Sequence, residues 1–248
     1  MPQLKLYGAF RSGTNFLQAV MELNYHVTCL GSEGGWKHTV PPIAFHEGRY
    51  APGPHPVAVL VKNPFAALTS MYRYFKARRF TNASCGETWD TFLTQRFTIF
   101  DAKQPGMPRL RFANPVQYWN HVYYAWWSMS EERRAVVRYE TLLADPDLVT
   151  SRLAKGFSFE RRSETLIVPS RTVHRLTDTW DRSALADYEE TATFKGRPYY
   201  LSGEYAREFS VDQAMFVAGE LDPELLVHLG YPDAIDQVIA RLTIGAEA

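Results

Sequence analysis

A chain of 248 residues, 46% hydrophobic and 22% charged, can bury a sizeable core as one α/β domain or two small ones. Basic and acidic side chains number 27 each, so no net charge draws it to nucleic acid or to an anionic membrane surface. Two cysteines make neither a disulfide framework nor a metal-ligand cluster, and no apolar run approaches the roughly 20 residues of a membrane span. With no signal-peptide pattern either, the expectation is a cytoplasmic protein with no nucleic-acid partner and no membrane insertion.

Residues 4–10, LKLYGAF, read as a short strand, and residues 15–24, NFLQAVMELN, as a helix with an apolar face of Phe16, Leu17, Val20, Met21 and Leu23. Residues 26–30 suggest a second strand, and the Gly-, Pro- and His-rich stretch 31–56 reads as irregular. Residues 57–61, VAVLV, are continuously apolar, as expected of a central parallel strand covered on both faces. Asn63-Pro64 then supplies a helix start for residues running to Arg79. Residues 80–112 look like an excursion rather than core, after which Asn114-Pro115 repeats the helix-start signal. Residues 135–142, AVVRYETL, read as a strand, followed by a capped helix over ADPDLVTSRLAKGF. Residues 160–210 are polar and carry no clear pattern, and the chain closes in two or three helices. The alternation predicts an α/β fold with a central parallel sheet and flanking helices, in one domain over 1–248.

Two segments carry chemistry. In GAFRSGTN (8–15), four residues separate Gly8 from Gly13, the spacing of a P-loop, and strand–loop–helix is the context such a loop needs. The usual lysine and magnesium-binding hydroxyl are replaced by Thr14 and Asn15, and the positive charge sits within the loop on Arg11. A guanidinium pairs with an oxyanion in bidentate fashion without a metal. Two glycines at this spacing also occur as an ordinary turn before a helix. In KNPFAALTS (62–70), Lys62 ends the central strand, where ligands of open α/β sheets collect, and Ser70 lies on the second turn of the next helix. They suit a second phosphate; standing alone, the motif is more often a solvated lysine and a helix serine.

The ordered set FRSGTNF, VKNPFAALTSMYRYF and VRYETLLADPDLVTSRLAKGF resembles the sulfotransferases that use 3′-phosphoadenosine 5′-phosphosulfate (PAPS). Their motifs run Lys/Arg-Ser-Gly-Thr-x-Trp/Phe, then Arg-x-Pro-x₅-Ser, then Tyr-Glu-x-Leu with a following Asp-Pro. The resemblance covers most of the chain except roughly 80–112 and 160–200, and the ending EFSVDQAMFVAGELDPELLVHLGY also looks like the family's C-terminal helices.

It implies a P-loop-like loop of Arg11, Ser12, Gly13, Thr14 and Asn15 holding the 5′-phosphosulfate, with Phe16 at the position where a ring packs on adenine. Lys62 and Ser70 would read the 3′-phosphate, with Lys62 standing where the family usually has Arg. The reaction would move the sulfuryl group to a hydroxyl, less readily an amine, of a small-molecule or carbohydrate acceptor. The product would be 3′-phosphoadenosine 5′-phosphate (PAP), with no metal required.

Many members of the family carry a Lys-x-His segment that supplies the general base. Here Lys37 and His38 are adjacent, one residue out of register. His38 is the expected base, since imidazole titrates near the working pH, and Lys37 the group stabilising the sulfuryl. Both act together only if their segment is irregular; His46 and Glu33 are the alternatives. Tyr139 is read as an adenine contact or a core tyrosine at a strand end. FKGRP (194–198) resembles a segment that closes over the 3′-phosphate, through Lys195 and Arg197. Acceptor recognition falls to 80–112 and 160–205, with Arg73, Arg78 or His121 as further candidates. The competing readings are a small P-loop kinase and a non-catalytic nucleotide-binding module.

Overall fold

The computed structural model describes residues 1–31, 36–38, 55–77, 83–100, 109–127, 134–169, 175–176, 179–180 and 196–244. Its centre is a parallel four-stranded sheet of β1 (Gln3–Tyr7), β2 (Thr28–Leu30), β3 (Val57–Val61) and β7 (Arg134–Arg138), in the spatial order β2-β1-β3-β7. Between β3 and β7 the chain builds a small antiparallel sheet from β4 (Ala83–Ser84), β5 (Phe97–Ile99) and β6 (Leu110–Phe112).

Side chains alternate across a strand, and here the alternation divides the core in two. Leu4 and Leu6 of β1 and Ala58 and Leu60 of β3 face α1 (Thr14–Asn24) and α6 (Pro146–Phe157). Val57, Val59 and Val61 face the opposite way, onto α2 (Pro64–Ala77), α4 (Pro115–Trp127) and the C-terminal helices α8 (Val211–Glu220), α9 (Pro223–His228) and α10 (Ala234–Ile244). Every residue of β3 is buried, as its unbroken apolar run requires.

The expected helix starts form. Asn63 Oδ1 accepts from the amides of Phe65 at 3.0 Å and Ala66 at 3.5 Å, and Asn114 Oδ1 from that of Gln117 at 2.9 Å. Asp145 likewise accepts from the Leu148 amide at 2.9 Å.

Two expectations are corrected. The segment 135–142 is not one strand: β7 ends at Arg138 and α5 (Tyr139–Ala144) follows directly, burying Leu142 and Leu143 as a helical pair. Residues 80–112 are not merely an excursion. Phe92 and Leu93 of α3 (Trp89–Thr94), with Phe97 and Ile99, are buried in the same core as β3. A Thr88–Thr91 capping box starts α3.

Of the stretch 160–210, the described parts include the short pair β8 (Arg175–Leu176) and β9 (Thr179–Trp180), α7 (Arg197–Leu201) and a 3₁₀ turn over Glu204–Glu208. Glu33, His46, Arg78 and Lys195 lie outside the described residues. Among the described residues, no helix is long and apolar enough to cross a membrane.

Candidate functional site

The strand order places two connections on opposite sides: β1 leads through α1 to β2, while β3 leads away to β7. The crevice between the carboxyl ends of β1 and β3 is therefore the topological switch point, where open parallel sheets bind their ligands. The loop Gly8–Gly13 leaves β1 into that crevice, and Lys62 follows β3 into it.

The loop is held from behind. Tyr123 and Tyr118 of α4 accept from the amides of Ala9 at 3.2 Å and Phe10 at 3.0 Å. Tyr123 donates onward to Leu60 O at 2.8 Å, tying the loop to β3. A Cβ on Gly8 would lie 2.4 Å from Ser12 Oγ and 2.5 Å from Leu60 O, so only glycine fits there. Ser12 itself is fully buried, and among the described residues its hydroxyl meets no partner at hydrogen-bond geometry.

Arg11 takes φ 64 and Gly13 φ 100, both left-handed; for Arg11 this costs about 1–2 kcal/mol that the surrounding contacts must offset. Gly13 O accepts from the amides of Phe16 and Leu17 and so opens α1. The amides of Gly13 and Thr14 meet no acceptor among the described residues. They stand at the positive end of the α1 dipole, beside the Arg11 guanidinium, which lies 4.9 Å over the Tyr74 ring.

Lys37 and His38 occupy a turn, so they escape the opposite-face rule for adjacent strand residues. Lys37 O accepts from the Gly8 amide at 3.0 Å, and Lys37 Nζ donates to Asn15 Oδ1 at the start of α1. The His38 Nδ1 lies 2.9 Å from Gly8 O. A carbonyl only accepts, so Nδ1 carries the hydrogen and Nε2 is left with its lone pair. The ring stacks on Phe10 at 4.4 Å and meets Trp36 edge-on.

Burial, and then the cations of Lys37 and Arg11, lower the His38 pKa to about 3. The expectation that this imidazole titrates near neutrality is thereby corrected: it is neutral throughout the physiological range.

Lys62 is 2% exposed and makes no ion pair among the described residues. Its ammonium lies 4.0 Å from the ring centres of both Tyr139 and Tyr200. Burial lowers its pKa, against the opposing charges of Tyr200 and Glu140. Ser70 Oγ is 2.8 Å from Tyr200 Oη, so the tyrosine joins the two residues of the KNPFAALTS motif.

Tyr139 links this group to the loop, since a Cβ on Gly13 would lie 2.3 Å from its ring. Phe16 is 4% exposed and packs edge-on to Tyr139 in the core below. Tyr200 escaped the sequence reading because it sits in the unpatterned stretch 160–210; the only signal was an aromatic pair after Arg197-Pro198.

The remaining candidates do not converge on the crevice. Arg197 donates to Ala144 O at 3.0 Å, capping α5. Arg73 pairs with Glu208 at 2.5 Å, and His121 Nδ1 returns to Gln117 O of its own helix. No family model and no curated protein sequence matches the chain.

Proposed function

We propose that the protein is a PAPS-dependent sulfotransferase acting on a hydroxyl of a small-molecule or carbohydrate acceptor. The observation that carries the reading is Lys62: a buried ammonium with no ion pair among the described residues, at the switch point, one tyrosine ring away from a glycine loop whose Gly13 and Thr14 amides meet no acceptor among those residues. A buried cation of this kind is costly unless an anion joins it, and two separated cationic regions suit a ligand phosphorylated at two places. PAPS supplies the sulfuryl group and a 5′-phosphate leaving group.

The donors toward the 5′ side are the amides of Gly13 and Thr14, the Arg11 guanidinium and Lys37, aimed where negative charge grows as the S–O bond breaks. Lys62 and Ser70 bind on the 3′ side. His38 Nε2 takes the acceptor hydroxyl proton as the new O–S bond forms. An anion neutralising Arg11 and Lys37 offsets two of the causes that depress its pKa, while the largest, burial, remains.

Thermal stabilisation without magnesium tests the proposal. A ligand at 100 times its dissociation constant adds roughly 2.7 kcal/mol. PAP is expected to stabilise strongly and AMP little, and Lys62→Ala to erase the difference. Equal responses to PAP and ADP would overturn the 3′-phosphate assignment, and magnesium-dependent phosphate transfer from ATP would replace a sulfotransferase by a kinase.

A further inference from the structure

A group that binds between Lys62 and Ser70 has to displace something. The Tyr200 hydroxyl already lies 2.8 Å from Ser70 Oγ, and the Tyr200 ring covers the Lys62 ammonium at 4.0 Å. We infer that Tyr200 is an internal stand-in for the ligand's second phosphate, its hydroxyl holding the place of one phosphate oxygen until the ligand arrives. The inference rests on the proposed 3′-phosphate site and adds to it the residue that sets its selectivity.

The chemistry of the position is that of an oxyanion. Tyr200 is pulled two ways: burial alone would raise the phenol pKa, but Lys62, Ser70 and Arg11 together hold it below the ordinary phenol value. A polar oxygen here satisfies the buried Lys62 and Ser70, avoiding the penalty of leaving both unpaired.

The tyrosine also has a place to go. Beside it is a cleft of about 450 Å³ that Tyr200 lines together with Arg138, Glu140, Gly203, Tyr205 and Arg241. Its neighbour Tyr199 is fastened elsewhere, to Glu208 and under Arg73, which anchors α7 while Tyr200 turns. Selectivity follows from the exchange. A ligand with only a 5′-phosphate leaves Tyr200 in place, whereas one with a 3′-phosphate replaces a neutral hydroxyl by a dianion on the same two partners.

Calorimetric affinities for PAP and AMP, on the full chain, test this with Tyr200→Phe and Lys62→Ala. Removing only the hydroxyl takes away the competitor, so Y200F is expected to bind PAP about tenfold more tightly, equivalent to about 1.4 kcal/mol, with AMP unchanged. Weaker or unchanged PAP binding in Y200F overturns the stand-in and makes the hydroxyl a ligand or a bystander.

The two readings fail separately. If K62A retains the preference for PAP over AMP, the 3′-phosphate site itself is wrong. If K62A loses the preference but Y200F does not tighten, only the role of Tyr200 is wrong. A readout on the unaltered protein guards against a variant that folds poorly. PAP, and not AMP, should perturb the near-ultraviolet tyrosine difference spectrum as the ring leaves the ammonium, and an identical spectrum for both ligands overturns the displacement.

Discussion

At the scale of single residues, His38 makes the sharpest prediction because its folded-state pKa of about 3 lies well below the ordinary 6.5. A group whose folded pKa is lowered binds its proton more readily when unfolded. Stability therefore rises with pH through the window between about 3 and 6.5 and is lost as pH falls through it. Chemical denaturation at pH 7 and pH 5 should show a loss for the wild type that is smaller in His38→Gln, which keeps a side-chain amide to donate to Gly8 O but has nothing to protonate. An equal loss in both would mean that the imidazole is not held neutral. The same variant should bind PAP as the wild type does but turn over no acceptor, and full turnover would move the base elsewhere. Residue identity and the resemblance to a Lys-x-His segment pointed to His38; its tautomer is set by Gly8 O, and its low pKa by burial and then by Lys37 and Arg11, which the turn at 36–38 brings together.

At the scale of elements, what was legible depended on whether the chain signals its own boundaries. Asn63-Pro64 and Asn114-Pro115 announce α2 and α4, and both asparagines cap as expected. The start of α5 has no such signal. Arg138 stands at its N-cap without a side-chain hydrogen bond, so AVVRYETL keeps the look of a strand beyond the point where it turns helical. Residues 80–112 hid their core contribution for another reason. Strands of two or three residues are too short to display a period, and the buried Phe92, Phe97 and Ile99 are scattered among exposed polar side chains. The two caps are separable by experiment. Asn63→Ala removes a cap and should cost about 1 kcal/mol. Asn114→Ala also removes the 3.0 Å bond from Asn114 Nδ2 to Glu220 Oε2 between α4 and α8, and should cost about 2–3 kcal/mol by urea denaturation. Equal costs would show that the Glu220 contact adds nothing.

At the scale of the whole molecule, the site is assembled from distant parts of the chain: the loop after β1, the turn at 36–38, the end of β3 and α7. Motif order disclosed the first three, because each follows a strand or lies beside one. Tyr200 is 130 residues from its partner Ser70, a separation that no local pattern encodes. What holds these parts in register is the C-terminal region. Glu140 Oε1 accepts from the Asn63 amide at 3.0 Å, and Glu140 Oε2 accepts from the Tyr231 hydroxyl at 2.6 Å, next to Lys62. Leu225, Leu226, Leu229, Tyr231 and Val238 share one core with Val57, Val59 and Val61.

The core that joins the C-terminal helices to β3 should unfold together with the sheet, and the Tyr231–Glu140 bond is where to test it. Tyr231→Phe keeps the ring in the core and removes the hydroxyl's bonds to Glu140 Oε2 and to Val61 O, so it should cost about 1.5–3 kcal/mol. Because Glu140 joins β3, α5 and the C-terminal region, that cost should lower the midpoint of the entire transition. Far-ultraviolet circular dichroism reports the helices, and tryptophan fluorescence reports six indoles, of which Trp119 and Trp126 are buried in the core shared with β3. The two curves should stay superimposed in the wild type and shift together in Tyr231→Phe. A variant in which the helical signal melts first, with fluorescence unchanged, would divide the chain into two units and detach the C-terminal helices from the folding of the site.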